Sequence, residues 1–176
     1  TPKPSSAASD VYKRQDYNGV IEALRSKKLD VAYLGPFSYV LANQVADVEA
    51  FAVAVTKKTG QSSYKSVIIA RKESGIAKTA DLKGRSFAFV DPTSASGHLF
   101  PKSGLLQAGY DPETFFGRVI FSGSHDASIL AVANKKVDAA AVADRILASA
   151  IAKGQVKQDE LEIVWSSTPI PAVSYT

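Results

Sequence analysis

Residues 85–100 read RSFAFVDPTSASGHLF and join an apolar run to a helix-prone run through a loop of small and hydroxyl residues. The apolar run 85–90 is typical of a short buried strand, and residues 94–108 are typical of a helix. A strand that leads through such a loop into a helix is the repeating unit of α/β folds. The stretch therefore predicts a mostly parallel sheet covered by helices.

The same alternation of strand and helix extends from this stretch in both directions. Amphipathic spacing and capping residues predict helices at 16–28, 37–44, 124–136 and 144–153, with a short helical turn at 80–83. Apolar runs predict strands at 29–34, 48–56, 65–71, 119–122, 137–142 and 163–165.

One internal similarity bears on how the chain is divided. KKLDVAYL at 27–34 matches KKVDAAAV at 135–142 at both lysines, the aspartate and one alanine, and both follow an amphipathic helix. The same offset aligns Tyr17 with His125 at the openings of those helices. The match indicates either two similar α/β lobes that face each other across a cleft, or a recurring helix-to-strand connection. In the first case both side chains project towards the cleft, where open sheets bind their ligands.

The loop 90–98 is the most informative stretch for chemistry. Its hydroxyl side chains, its glycine and the following helix start bring several hydrogen-bond donors together, which suits an anion. The alternative is an ordinary helix N-cap, because Asp, Thr and Ser are the standard capping residues. Neither G-x-x-x-x-G-K-[ST] nor G-x-G-x-x-G occurs, which disfavours nucleotide binding.

A second junction of this kind, SGSHD at 122–126, carries His125. Its ring can donate to an anion, or it can be a structural histidine. The sequence has no G-x-S-x-G nucleophile elbow and no H-E-x-x-H, and only two histidines. Hydrolase catalysis and a metal site are therefore disfavoured, and we expect no cofactor.

Composition excludes further classes. The 176 residues contain no cysteine, so the chain has no disulfide, zinc-thiolate site or thiol nucleophile. Residues 1–15 lack periodicity and resemble translated adapter sequence, so we expect a non-native tail that carries half of the net charge of +4. The remaining charge is scattered, which disfavours nucleic-acid binding. No apolar run approaches the roughly 18 residues of a membrane span.

Five stretches in order carry a family resemblance. They are DYNGVIEALRSKKLDVAYLGPFSY (16–39), SSYKSVIIARKESGI (62–76), DLKGRSFAFVDPTSASGHLFP (81–101), FSGSHDASILAVANKKVDAAAV (121–142) and VWSSTPIP (164–171). Together they closely resemble the phosphate, phosphite and phosphonate substrate-binding proteins of ABC transporters. The resemblance implies a type II periplasmic-binding-protein fold, with two α/β lobes joined by two crossing segments, expected at 65–72 and 162–167.

The resemblance also implies a set of ligand-binding residues. The D-P-x-S-x-S-G loop of the family maps onto Asp91, Pro92, Ser94, Ser96 and Gly97, with Ala95 offering its backbone N–H. The helix-opening histidine maps onto His125, the cleft tyrosines onto Tyr17 and Tyr64, and a carboxylate onto Asp144.

One departure from the family bears on the ligand. Aminoalkylphosphonate binders hold the amine with two carboxylates, and the second falls here near the apolar Val173. An unpaired ammonium in a closed cleft is costly. We therefore expect a ligand without an amine, namely phosphite, methylphosphonate or phosphate.

The resemblance predicts a partial first lobe at 16–75 and 167–176 and a second lobe at 76–166. The chain has no methionine and stops inside a β-prone run, which indicates a fragment. The expected function is that of a monomeric, periplasmic or exported solute-binding protein that serves an ABC permease and is not an enzyme. The alternatives are the effector-binding domain of a transcription regulator, a binding protein for another small anion and an anion-using enzyme.

Overall fold

A computed structural model describes residues 17–55 and 60–172. The helices are α1 (Tyr17–Arg25), α2 (Pro36–Val45), α3 (Phe100–Gln107), α4 (Pro112–Phe115), α5 (His125–Ala133) and α6 (Asp144–Ala152). The strands are β1 (Ser63–Tyr64), β2 (Ser66–Arg71), β3 (Ser86–Phe89), β4 (Arg118–Phe121), β5 (Ala139–Ala143), β6 (Leu161–Ser166) and β7 (Ile170–Pro171). None of the described helices is long and apolar enough to cross a membrane.

Five strands form one sheet in the order β4-β3-β5-β2-β6. β3 is parallel to both β4 and β5, whereas β2 is antiparallel to its neighbours β5 and β6. Four of the five strands therefore run in one direction. The predicted α/β class is confirmed, with β2 as the antiparallel exception.

The central strands of the sheet are buried on both faces, as their apolar sequences require. All five residues of β5 are buried, and so are the first five of β2. One face packs against α5 and α6 through Ile129, Val132 and Leu147. The other face packs against α3 and Phe116, whose ring stacks on that of Phe87 in β3 with centroids 4.2 Å apart.

Residues 17–55 form a smaller helical unit. α1 and α2 pack through Ile21, Leu24 and Ala42. The strands predicted at 29–34 and 48–56 are wrong over the described residues, where only Tyr33 and Ala52 form isolated bridges. A strand needs a hydrogen-bonded neighbour, and these runs have no extended one among the described residues.

The remaining helices and strands follow the predictions with small shifts. The helix predicted at 94–108 begins with a π-helical turn, Ala95–Leu99, which continues into α3. The short α4 and the antiparallel pair of β1 with β7 were not predicted. The predicted tail 1–15 lies outside the described residues.

The internal similarity has a structural counterpart. α1 and α5 each span nine residues and end in the same cap. Lys28 N–H donates to Ala23 O at 2.8 Å, and Lys136 N–H donates to Ala131 O at 2.8 Å. The residue before each donor has a left-handed backbone, with φ of 53° at Lys27 and 60° at Lys135. The second copy then continues into β5, whereas the first reaches only the bridge at Tyr33.

The two segments predicted to cross between lobes contain β2 and β6, which are hydrogen-bonded neighbours. At their outer end Ser167 N–H donates to Ser66 O at 2.9 Å, and Ser66 N–H donates to Ser167 Oγ at 3.0 Å. The division into lobes at 75/76 and 166/167 remains a prediction.

Candidate functional site

Three parallel strands end at one edge of the sheet, and each is followed by a helix start. β3 leads to Ser94 and the turn that begins at Ala95, β4 leads to His125, and β5 leads to Asp144. Because Ser66 pairs with Ala143, the antiparallel β2 begins at this same edge and brings Tyr64 there. This is the edge at which open α/β sheets bind ligands.

The loop after β3 is held by its own hydrogen bonds. Asp91 Oδ1 accepts from the N–H of Thr93 at 2.8 Å and from its hydroxyl at 2.6 Å. Ser94 Oγ accepts from Gly97 N–H at 3.0 Å, which is the N-cap bond that the sequence offered as an alternative. Gly97 is required because a Cβ there would lie 2.4 Å from Val90 Cβ.

The helix start behind this loop is buried and anchored to β2. Ser94 and Ser96 are each 2% exposed, and Ala95 is also buried. Ser66 Oγ donates to Ser96 O at 2.6 Å, which ties the turn to the first residue of β2. The first N–H groups of a helix have no intrahelical acceptor. The N–H groups of Ala95 and Ser96 can therefore donate to an anion bound at the start of the turn.

Two tyrosines meet these serines. The Tyr17 hydroxyl lies close to the Ser94 side chain, and the Tyr64 hydroxyl lies close to that of Ser96. Burial raises the pKa of both phenols and outweighs the serines, which favour the phenolate and tend to lower the pKa, so both tyrosines stay protonated and neutral. Tyr17 opens α1 and Tyr64 lies in β1, so separate parts of the chain supply these hydroxyls to one loop.

His125 opens α5, where Ser124 caps the helix by accepting from Ala127 N–H at 3.1 Å. Its Nδ1 accepts a hydrogen bond from Ala143 N–H at 3.1 Å. Burial, assisted by the positive charge of Arg145, lowers the pKa of His125 to about 4. The neutral ring carries its proton on Nε2, because Nδ1 is the acceptor, and it can donate that proton to an anion.

Asp144 makes its hydrogen bonds to backbone groups near the site. Its Oδ1 accepts from Arg145 N–H at 2.7 Å, and its own N–H donates to Lys65 O at 3.0 Å. The site role predicted for its carboxylate remains a prediction. Val173, the position expected for a second carboxylate, lies outside the described residues.

Arg145 is the site residue that the sequence did not predict. Its guanidinium carbon lies 4.6 Å from the centroid of the Tyr64 ring and 5.5 Å from that of the Tyr33 ring. Its Nη1 donates to the Tyr33 hydroxyl. The available signal was its position in the first turn of a helix at the carboxyl end of a buried strand.

The site is built from hydroxyls, backbone N–H groups, one neutral imidazole and one guanidinium. Within 17–55 and 60–172, no three His, Asp or Glu side chains are placed to hold a metal ion. Such a set offers mostly donors, which suits an oxyanion and does not suit a cation. The contact of Ser38 Oγ with Thr93 O at 3.0 Å further joins the helical unit 17–55 to the loop.

Proteins of known function resemble this chain in sequence. The chain is 33% identical to the phosphate-import protein PhnD of Mycolicibacterium smegmatis, in an alignment that covers 96% of this chain and 55% of that protein. It is 34% identical to the phosphonates-binding periplasmic protein of Escherichia coli, over 89% of this chain and 47% of that one. The chain thus spans about half the length of the curated relatives it matches.

A solved structure gives the same result. The binding-protein component of an ABC phosphonate transporter of Pseudomonas aeruginosa superposes with a TM-score of 0.84 at 29% identity, over 98% of this chain and 64% of that one. The sequence pattern of a family of substrate-binding transport proteins matches residues 9–176. The match includes residues 9–15 of the predicted tail. The chain belongs to that family, the periplasmic substrate-binding proteins of phosphonate ABC transporters.

Proposed function

We propose that the protein is the solute-binding component of an ABC importer and that it binds a small phosphorus oxyanion at the edge formed by β3, β4 and β5. The observation that carries the proposal is the convergence of two buried serines with two protonated tyrosines. Ser94 lies beside the Tyr17 hydroxyl, and Ser96 lies beside the Tyr64 hydroxyl. Hydroxyls and backbone N–H groups can together donate to several oxygens of one phosphorus centre.

The ligand we propose is phosphite, methylphosphonate or phosphate. His125 adds a neutral N–H donor, and the carboxylate of Asp144 accepts from the Arg145 backbone. The guanidinium of Arg145 lies beside Tyr64 and would repel an ammonium group, which supports selectivity for a ligand without an amine.

The wider biological setting belongs to the same proposal. The protein acts in the periplasm or as an exported, membrane-associated protein, and it delivers its ligand to a membrane permease. It works as a monomer, catalyses no reaction and binds no nucleic acid. Two lobes, one partial at 16–75 and 167–176 and one at 76–166, enclose the ligand.

Calorimetric titration of the full-length protein with phosphate, phosphite, methylphosphonate and 2-aminoethylphosphonate tests the proposal. We expect saturable binding of at least one of the first three, with no chemical change of the ligand by phosphorus NMR. Tighter binding of 2-aminoethylphosphonate than of the other three would overturn the choice of ligand. Binding of none of the four would overturn the function itself.

A further inference from the structure

Arg145 is a cation held in place beside two aromatic rings. Its guanidinium carbon lies 4.6 Å from the Tyr64 ring centroid and 5.5 Å from that of Tyr33, and its Nη1 donates to the Tyr33 hydroxyl. Contacts of this kind fix the orientation of a planar guanidinium. Arg145 is therefore a positioned charge, unlike a freely rotating surface side chain.

Within the described ranges, no carboxylate neutralises this charge. The ion pairs there join other residues at distances up to 3.8 Å, and none includes Arg145. The adjacent Asp144 uses Oδ1 to accept the Arg145 backbone N–H. In addition, Arg145 Nε is buried without a hydrogen-bond acceptor among the described residues. Arg145 as a whole is half-buried. A partly desolvated guanidinium without a carboxylate partner among the described residues is available to an anion.

The charge acts on the residues of the oxyanion site. After the larger effect of burial, the positive charge of Arg145 contributes to lowering the pKa of His125. It also acts on the phenols of Tyr17 and Tyr64, where burial is again the largest influence and raises the pKa of each. These side chains come from three separate helices and strands, so the guanidinium lies where their polar groups converge.

We propose that Arg145 is a specificity-determining residue of this site, which supplies the positive charge facing a bound oxyanion and rejects ligands that carry an ammonium group. The inference rests on the proposed function. A guanidinium attracts an anion and repels a nearby cation, and partial burial beside two aromatic rings strengthens both effects. Methylphosphonate and aminomethylphosphonate differ only by the amine, so they measure the rejection directly.

The experiment compares Arg145→Gln with Arg145→Lys in the full-length protein by calorimetry. We expect Arg145→Gln to weaken the binding of phosphate, phosphite and methylphosphonate by at least tenfold. We also expect it to narrow the preference for methylphosphonate over aminomethylphosphonate by at least tenfold. Arg145→Lys keeps the charge and should retain that preference, which a residue that acts only by packing would not do.

Arg118→Gln is the matched control, because it removes the same charge from the exposed amino end of β4. It should leave the affinities for methylphosphonate and aminomethylphosphonate within twofold of the wild-type values.

An equal preference for methylphosphonate over aminomethylphosphonate in Arg145→Gln and wild type would overturn the inference. A wild type that prefers aminomethylphosphonate would also overturn it. If Arg145→Gln does not fold, Arg145→Met is used in its place, because a long apolar side chain can pack beside the two rings without a charge. If the wild type binds no phosphorus oxyanion, the proposed function is overturned. If the wild type binds one and Arg145→Gln binds it with the same affinity, only this inference is overturned.

Discussion

The backbone N–H of Ala143 donates a hydrogen bond to Nδ1 of His125 at 3.1 Å. This bond links the last residue of β5 to the first residue of α5. It requires a ring nitrogen with a free lone pair, so it exists only while Nδ1 is unprotonated. The fold therefore holds His125 neutral, in agreement with a pKa lowered to about 4, chiefly by burial.

Stability should depend on pH through this histidine. The unfolded chain takes up a proton as the pH falls below the ordinary value of 6.5, whereas folded His125 takes it up only near pH 4. Between these values the unfolded state binds more protons than the folded state. The free energy of unfolding should therefore fall by up to about 1.4 kcal/mol for each unit by which the pH is lowered. Urea denaturation from pH 7 to 4 measures the slope. Asparagine cannot titrate, so the slope in His125→Asn should be smaller by the contribution of one proton. The same slope in His125→Asn and wild type would contradict the lowered pKa of His125.

Removal of either main polar donor should weaken anion binding. Ser94→Ala and His125→Ala should each cost about 1–3 kcal/mol of binding free energy, because charged oxygens lose a donor. Ser94→Ala should also lower the free energy of unfolding by about 1 kcal/mol, because it removes the N-cap bond to Gly97. Calorimetry and urea denaturation separate the two effects. Ser103→Ala on the exposed face of α3 is the control; unchanged affinity in both site variants would contradict the assignment.

Gly97→Ala should destabilise the loop and the strand before it. The new Cβ would lie 2.4 Å from both Cβ and Cγ2 of Val90, which is fully buried and cannot move away without repacking. Such overpacking costs about 1–3 kcal/mol. Urea denaturation gives the magnitude. Gly35→Ala, where a Cβ meets nothing within 4 Å, should change stability much less. Equal effects of the two substitutions would show that close approach is not the reason for Gly97.

Gly104→Ala should disturb the single tryptophan. A Cβ at this position of α3 would lie 2.3 Å from Trp165 Cζ2, so the indole on β6 must move. The chain contains one tryptophan, so a change in the emission spectrum can be assigned to the surroundings of Trp165. We expect a shifted emission maximum together with a lower melting temperature. Ser103→Ala, one residue earlier in the same helix, should leave the spectrum unchanged; an unperturbed spectrum in Gly104→Ala would refute the contact.

Glycine should be the better residue at both left-handed caps. Lys27 and Lys135 have φ of 53° and 60°, a region that costs about 1–2 kcal/mol for a residue with a Cβ. Lys27→Gly and Lys135→Gly should therefore each raise the free energy of unfolding, partly offset by the greater freedom of glycine in the unfolded chain. Lys28→Gly and Lys136→Gly, at neighbouring positions without positive φ, should lower it. The same sign of effect at all four positions would contradict the cap geometry.

The sequence predicts those parts of the fold whose signals are local. β2, β3 and β5 are continuous apolar runs, and α1 and α5 have helical spacing, so each is found within a few residues of its observed bounds. The runs 29–34 and 48–56 look equally apolar, but a strand forms only with a partner, and pairing is not a local property. β1 and β7 are two residues long each, too short for any period.

The candidate site divides in the same way. Ser94, Ser96 and His125 are predictable because each follows a strand and begins a helix, and parallel strands end at one edge. The same rule marks the position of Arg145, in the first turn of α6 after β5. It does not give the role of Arg145, which depends on Tyr33, 112 residues earlier, and on Tyr64. Nothing in the sequence around 145 indicates which aromatic residues will lie beside the guanidinium.

The adjacency of β2 and β6 has a mechanical consequence. The chain enters the sheet at Ser66 and leaves it at Ser167, and the two residues are hydrogen-bonded to each other. We expect two connections that lie side by side to act as a single hinge between the predicted lobes. Ser66 lies at this hinge and donates to Ser96 O at 2.6 Å, so the serine loop should move least during closure. Tyr17 and Tyr33 lie farther along the chain from the hinge, so we expect them to move more.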